Sequence, residues 1–474
     1  MRVFHLSAEC YPVAKVGGLA DVVGALPKYQ VKAGINAAVA MPFYDRKFTH
    51  EHEFDTVFQG LTLLGTRRLY FEVLKERYDS LGFELFLIKI PGLIDRTEVY
   101  CYPDETEQFI AYQIAFLDWI NWSGQTPDII HCHDHHSGLV PFLMQHSNAY
   151  KRLADIPPVF TIHNGQYHGA FSWNKLDYLP DIDLTKTGLL DWNGGLNPLA
   201  AAVKCSAYYT TVSPSYLEEL SYNSNGLEYL FHIERHKGIG ILNGIDTEVW
   251  NPATDPMIAS RYSTARITQG KQKNKAALCA RFNLDTSLPL VAFIGRLVGE
   301  KGADLLPEAF ERSLNEHAGK VNFLMLGAGD TTTEEQLTAL SHKYAEHYAA
   351  FVGYDEALAH QVYAGADFLL MPSRVEPCGL NQMYSLRYGT LPMVRSTGGL
   401  KDTVTDFGDE GGYGIRFIHA SVDDICHSVS RALVLYGNTA QLQKLRKTMM
   451  ALDFSWDRSA SEYINLYNRI ISAS

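Results

Sequence analysis

Between residues 288 and 404, short unbroken apolar runs alternate with segments of helical period, and few folds satisfy that alternation. The runs are LPLVAFIG (288–295), VNFLMLG (321–327), AAFVGY (349–354), DFLLMPS (367–373) and LPMVR (391–395). Each is long enough for a strand and too short for a helix, and helical patterns lie between them at 303–316, about 333–346, 356–366 and 379–388. Strands apolar on both faces belong to a parallel sheet covered by helices on both sides. The first half repeats the pattern, with strands expected at 2–8, 36–41, 83–90, 128–132, 158–163 and 207–213. Residues 42–82, rich in charges and aromatics, read as an insertion containing a hairpin. A chain of 474 residues exceeds one ordinary core, so the expected class is α/β with two doubly wound parallel-sheet domains.

The boundary falls in ILNGIDTEVWNPATDP (241–256), where Asn-Gly, Asn-Pro and Asp-Pro crowd together. The expected domains are 1–240 and 241–452. Helices near 421–437, 439–451 and 458–472 finish the chain, and the last, about 453–474, is expected to cross back onto the first domain. In open α/β sheets ligands bind beyond the carboxyl ends of the strands. A cleft between the domains is therefore the expected site, with closure of the two halves during turnover.

The net charge of −12 argues against broad nucleic-acid binding, which needs a basic face. No apolar run approaches the roughly 20 residues of a membrane span. The segment MRVFHLSAECYPVAKVGG, with His5 and Glu9 near its short apolar run, reads as a strand and its loop rather than a signal peptide. Seven scattered cysteines without a CxxC pair point to reduced thiols and a cytoplasmic location. The sequence leaves oligomeric state open.

The string Gly-Gly-Leu-x-Asp-x-Val occurs twice, at Gly17–Val23 and at Gly398–Val404, each time after an apolar run and opening a helical pattern. Glycines at a strand-to-helix turn let backbone amides approach a ligand, and the helix N-terminus favours an anion. Two such turns suggest two similar halves facing one anionic ligand. Lys15 precedes the first glycine pair and adds a cation there. Arg296 and Lys301 bracket the loop after the strand 288–295, where Arg can grip a phosphate bidentately and Lys acts as a point charge. Ser373-Arg374-Val375-Glu376-Pro377-Cys378-Gly379-Leu380 follows the strand 367–373 and puts a carboxylate at its carboxyl end. Glu376 there accepts from sugar hydroxyls and stabilises positive charge, or else serves only the helix dipole.

His131-Cys132-His133-Asp134-His135-His136 has the composition of a metal cluster, but adjacent strand residues point to opposite faces, and no metal is expected. It reads as a strand end with Asp134 and a neighbouring histidine lining the site, beside Thr161-Ile162-His163-Asn164-Gly165 from the next strand. A phosphate-cradling GxxxxGK[ST] loop and a GxSxG nucleophile elbow are both absent from the sequence.

Together these strings resemble the glycogen and starch synthases, retaining glucosyltransferases of the GT-B fold. The matching segments are KVGGLADVVGALPK (15–28), HCHDHHSGLVP (131–141), TIHN (161–164), TTVSPSY (210–216), GILNGIDTEVWNPATD (240–255), GRLVGEKG (295–302) and GAGD (327–330). The longest is PSRVEPCGLNQMYSLRYGTLPMVRSTGGLKDTV (372–404), and the resemblance runs in order along nearly the whole chain.

The resemblance implies two Rossmann-like domains around a cleft and glucosyl transfer from ADP-glucose to the non-reducing O4 of glycogen or another α-1,4-glucan. Retention of configuration is implied, with no cofactor and no metal. By position, Lys15, Arg296 and Lys301 match the cations at the donor phosphates. Gly17, Gly18, Thr397, Gly398, Gly399 and Leu400 match the glycine turns. Glu376 matches the acidic residue near the donor glucose, and Cys378 and Gly379 continue its loop. Asp134 and His163 match residues beside the sugar, and Tyr354 one near the base. After TIHN this chain reads Gly165-Gln166-Tyr167-His168-Gly169 where the family has Leu-Ala-Tyr-Gln-Gly, and it has Asn197-Pro198-Leu199-Ala200 where many members have Asn-Phe-Leu-Lys. These changes bear on acceptor and nucleotide choice. A transferase using UDP-glucose or a small acceptor is the alternative, and a glucan-binding protein without activity is the non-enzymatic one.

Overall fold

The computed structural model describes residues 1–473 and divides into two compact units: Met1–Leu242 with the last helix, Trp456–Ala473, and Asn243–Ser455. No helix among the described residues is long and apolar enough to cross a membrane.

The strands of the first unit are Arg2–Leu6 (β1), Asn36–Pro42 (β2), Phe54–Leu64 (β3), Arg67–Glu76 (β4), Glu84–Lys89 (β5), Ile129–His133 (β6), Pro158–Ile162 (β7), Asp191–Trp192 (β8), Gly195–Leu196 (β9), Tyr208–Thr211 (β10) and Gly238–Gly240 (β11). β8 and β9 form a separate small hairpin, and the rest make one sheet in the order β11-β10-β7-β6-β1-β2-β5-β4-β3. All neighbours are parallel except β3 with β4 and β4 with β5. The segment 42–82 is therefore less an insertion than an extension of the main sheet. Leu69, Phe71 and Val73 alternate along β4 and are buried, which fixes the hairpin's inner face.

In the second unit the strands are Leu290–Ile294 (β12), Asn322–Gly327 (β13), Tyr348–Val352 (β14), Phe368–Met371 (β15), Leu391–Arg395 (β16) and Ile415–Phe417 (β17). Their order, β14-β13-β12-β15-β16-β17, is that of the dinucleotide-binding folds, and every pair is parallel. The apolar runs are two-sided, as the alternation predicts. Val291, Phe293, Phe323, Met325 and Leu370 enter one core cluster, and Leu290, Ala292, Leu324, Leu326 and Leu369 enter another on the opposite face. Each large side chain so buried contributes about 1.5–3 kcal/mol. The helix Leu306–Glu316 closes the first cluster with Leu306, Ala309, Phe310 and Leu314, one face of a 3.6-residue period.

Two long helices escape the periodicity argument. Glu105–Trp122 buries residues on nearly all sides, so it shows no stripe. Ile267–Phe282 buries Lys271, Asn274 and Lys275 along with its few apolar residues. The last helix packs Trp456, Ala460, Tyr463, Leu466, Tyr467 and Ile470 against Val3, Val22, Leu26, Ile129 and Val159 of the first unit.

Candidate active site

In each unit the strand order reverses beside the first strand, and the loops that leave the strands at that point carry the polar residues. In the second unit these are the loops after β12 and β15. Lys301 stands in the first and Glu376 in the second, and Lys301 Nζ lies 2.7 and 2.6 Å from the two carboxylate oxygens of Glu376. Glu376 is 6% exposed and also accepts from Ser373 Oγ at 2.9 Å. The resulting ion pair is charge-assisted on both sides, each such bond contributing about 1.5–3 kcal/mol.

The two loops are tied to each other independently of that pair. Arg374 donates to Gly299 O at 2.7 Å and to Asp304 at 2.6 and 2.8 Å, and the Arg374 amide donates to Glu300 O at 2.8 Å. Arg395 from β16 donates to the carbonyls of Ser373 and Arg374. Arg296 stands apart: its side chain is 66% exposed and its contact to Glu300 is 3.7 Å. Tyr354, 82% exposed, lies on the loop after β14.

The second glycine turn differs from the expectation of an amide cradle. It opens a helix of only six residues, Gly398–Thr403, with Thr397 as its N-cap. The Gly399 amide donates to the carbonyls of Glu376 and Pro377 at 3.1 and 3.2 Å. An added Cβ would lie 2.0 Å from Glu376 O at Gly398 and 2.1 Å from Cys378 O at Gly399. These glycines let backbone approach backbone, and the approach fixes the loop that carries Glu376. Gly379 has φ +74, and the buried Cys378 thiol is pushed up to about 12 by desolvation. Leu400 is fully buried in the core.

In the first unit the loop after β1 carries Lys15 and the first glycine turn. The Gly18–Lys32 helix has Gly17 as its N-cap, but the amides of Val16 and Gly17 already donate to Glu9 Oε2 at 2.5 and 2.9 Å. The anion that the turn attracts here is the protein's own carboxylate. Glu9 is 3% exposed and accepts from Tyr100 OH at 2.6 Å. Lys15 Nζ lies 2.7 Å from Asp21, and its side chain is 44% exposed. Glu9 and Tyr100 were not among the residues the sequence singled out for the site, because neither sits in a recognisable spacing.

Asp134 follows β6 with φ +54 and ψ 177, a backbone conformation rare for a non-glycine residue. The turn aims its carboxylate back at β7, where it accepts from the His163 amide at 2.7 Å. Burial pushes the Asp134 carboxyl up to about 7, against backbone hydrogen bonds that pull it down. Burial pulls His163 down to about 3, so its ring is neutral at pH 7.

His131 and His133 alternate along β6 and so share a face, and His5 from β1 joins them. Ligand-type nitrogens of the three lie within 4.8 Å of one another. The strand-alternation argument overlooked this, because it considered neighbours in sequence and not the adjacent strand. Yet every ring nitrogen of the three is hydrogen-bonded within the protein.

Residues 2–233 match the family model described as starch synthase catalytic domain, and residues 275–447 match glycosyl transferases group 1. The chain is 55% identical over 471 residues to a glycogen synthase of Flavobacterium johnsoniae, covering 99% of each. The chain belongs to the glycogen and starch synthase family. It is 37% identical over 481 residues to the glycogen synthase of Geobacillus stearothermophilus, covering 99% of this chain and 98% of that one. Among solved structures, the catalytic domain of starch synthase IV from Arabidopsis thaliana, bound to ADP and acarbose, is similar with a TM-score of 0.88 and 32% identity over 99% of both chains. A sucrose-phosphate synthase from Thermosynechococcus elongatus shares the fold alone, at TM-score 0.64 and 17% identity over 100% of both chains. The family's two Rossmann-like units, the GT-B fold, are those described above, and the chain is a glycosyltransferase.

Proposed function

We propose that the chain transfers glucose from ADP-glucose to the non-reducing O4 of an α-1,4-glucan, glycogen among them, with retention of configuration and no divalent metal. The observation that carries this reading is the Lys301–Glu376 pair on the loops after β12 and β15. A cation there serves a departing diphosphate, whose negative charge grows in the transition state. Lys301 is compensated by Glu376 in this structure, so a diphosphate competes with that carboxylate for the ammonium. Arg296 and Lys15, with side chains 66% and 44% exposed, are assigned as further cations for the phosphates.

Glu376 then balances positive charge on an oxocarbenium-like sugar. Both of its oxygens are engaged, by Lys301 and Ser373, which weakens it as a nucleophile. That favours attack of the acceptor hydroxyl on the face the leaving group vacates over a double displacement. A leaving-phosphate oxygen takes the acceptor's proton. Asp134 and His163 act on the sugar hydroxyls, Tyr354 on the base, and the loops of Cys378, Gly379, Thr397, Gly398, Gly399 and Leu400 hold the geometry.

The test is incubation with ADP-glucose or UDP-glucose, with and without glycogen, reading nucleotide release. ADP release that depends on glycogen and is untouched by chelator is expected. Preference for UDP-glucose, release onto a small acceptor only, or loss of turnover in chelator restored by Mg²⁺ contradicts the corresponding part.

A further inference from the structure

A polar seam crosses the first unit's sheet where apolar side chains would be expected. The parallel registers pair His5 with His131, His133 with Thr161, and Thr161 with Thr210. Residues in register share a face, and so do residues two apart on a strand, so His163 continues the same row. His5, His131, His133, Thr161 and Thr210 are fully buried, and His163 is 9% exposed at the open end. Gln30 from the Gly18–Lys32 helix and Tyr467 from the last helix cover the row.

The hydrogen bonds along this row form one chain. His163 Nε2 lies 3.0 Å from His133 Nδ1, His133 Nε2 lies 3.0 Å from His5 Nδ1, and His5 Nε2 lies 2.7 Å from Gln30 Oε1. Gln30 Nε2 donates to Tyr467 OH at 3.2 Å, which lies 2.6 Å from His131 Nδ1. His131 Nε2 lies 2.6 Å from Thr161 Oγ1, which lies 2.6 Å from Thr210 Oγ1.

A neutral imidazole has one donor and one acceptor nitrogen. The carbonyl oxygen of Gln30 only accepts, so His5 carries its proton on Nε2. His5 Nδ1 must then accept, so His133 donates from Nε2. His133 Nδ1 accepts in turn, and His163 donates from its own Nε2. On the other side the Gln30 amide donates to Tyr467, whose hydroxyl donates to His131, which donates to Thr161. One amide group sets the direction of the bonds from Gln30 through His5 and His133 to His163. A reversed Gln30 amide would reverse the chain and place the His163 proton on Nδ1.

We propose that Gln30, through His5 and His133, holds His163 as the Nε2–H tautomer, so that its Nδ1 meets the sugar as a lone-pair acceptor for a hydroxyl proton. Among the described residues Nδ1 of His163 has no protein partner. The proposal rests on the reading above that His163 faces the donor sugar. Gln30, His5 and His133 are positioning residues: they act on substrate only through His163. A row paired at every link has little latitude to rearrange, which is what a fixed tautomer requires.

The test is ¹⁵N-histidine labelling of the full-length protein, with the His163 signals assigned by a His163→Asn variant. The tautomer is read from the ring ¹⁵N shifts and long-range couplings. The Nε2–H form is expected at neutral pH, and an Nδ1–H form in the unmodified protein overturns the proposal. In Gln30→Leu the anchor is lost; the Nδ1–H form should become populated and kcat/KM for ADP-glucose fall about tenfold, the worth of one hydrogen bond to substrate. Gln30→Glu keeps an acceptor facing His5 and should recover the tautomer and most of kcat/KM. A folded Gln30→Leu with the tautomer unchanged overturns the proposal, as does a stoichiometric metal ion in the purified protein, which would have to take the nitrogens of His5, His131 and His133. If no glucosyl transfer is found, the functional reading fails, while the tautomer of the unmodified protein still decides this one.

Discussion

At Gly17 and Gly18 an added Cβ meets nothing within 4 Å, whereas at Gly398 and Gly399 it runs into the carbonyls of Glu376 and Cys378. The first turn opens a helix of 15 residues and has its amides held by Glu9; the second opens one of six and gives its Gly399 amide to the neighbouring loop. The surroundings differ too. The second turn stands against an ionised pair, Lys301 with Glu376, and the first unit's strand ends present a neutral row of histidines and the proton-holding Asp134. One string thus serves two purposes: glycine is demanded by internal packing in one unit and is sterically unforced by the protein in the other.

The sharpest test of the charged side is Lys301→Ala. Turnover should fall about 10²–10³-fold, the usual loss when a preorganised group for developing negative charge is removed. Glu376 keeps only Ser373, so Tm should fall as well. Near-normal single-turnover rates in this variant would remove the diphosphate role from that pair.

Next in size is Gly399→Ala, which must displace the loop that carries Glu376 and should destabilise by about 1–3 kcal/mol or more. Its counterpart Gly18→Ala should leave Tm unchanged or raise it by the equivalent of about 0.4–1 kcal/mol, since the unfolded chain loses freedom. Equal losses of Tm in the two variants would break the comparison. Unchanged Tm with a raised KM for ADP-glucose in Gly18→Ala would sharpen it, because the glycine would then serve the ligand.

Glu9→Gln keeps the shape but removes the charge at the amides of Val16 and Gly17. A charge-assisted bond is worth about 1.5–3 kcal/mol and a neutral one about 1, so the loop bearing Lys15 should loosen and KM for donor rise several-fold. Steady-state kinetics with unchanged circular dichroism would check it.

The smallest effect is a trend with pH. Asp134 titrates near 7 when folded and at 3.8 when unfolded, so the folded state binds the extra proton across that window. Its contribution to stability is full below pH 3.8 and is lost as pH rises through about 7. His5 and His163, lowered from 6.5 to about 4 and about 3, act the other way and lose stability as pH falls through those values. Asp134→Asn removes only the first contribution. The Tm difference between variant and parent should move in the variant's favour from pH 5 to pH 8, and a flat difference would show that Asp134 ionises normally.

Much of this arrangement can be read along the chain. The apolar runs around β12, β13, β15 and β16, and the loops with Lys301 and Glu376 at their carboxyl ends, are local patterns. Their meeting is not local: Lys301 and Glu376 are 75 positions apart, and they touch because β12 pairs with β15. Glu9, Ser373 and Arg374 lay in the quoted strings and Tyr100 outside them, but nothing in their spacing announces a hydrogen-bond partner. His5 carried no signal of its own, since a histidine on a strand gains meaning only from the strand beside it.

The order of strands and helices, the two α/β units and the residue types at the carboxyl strand ends follow from periodicity and composition, because both are properties of neighbouring residues. The direction of the histidine row, the internal carboxylate at the first glycine turn and the backbone contact at the second depend on which distant segments meet. Gln30 and Tyr467, 437 positions apart, must come within 3.2 Å before the row has an anchor. Only chain closure in three dimensions decides such pairs, since a buried hydrogen bond is defined by both of its partners at once.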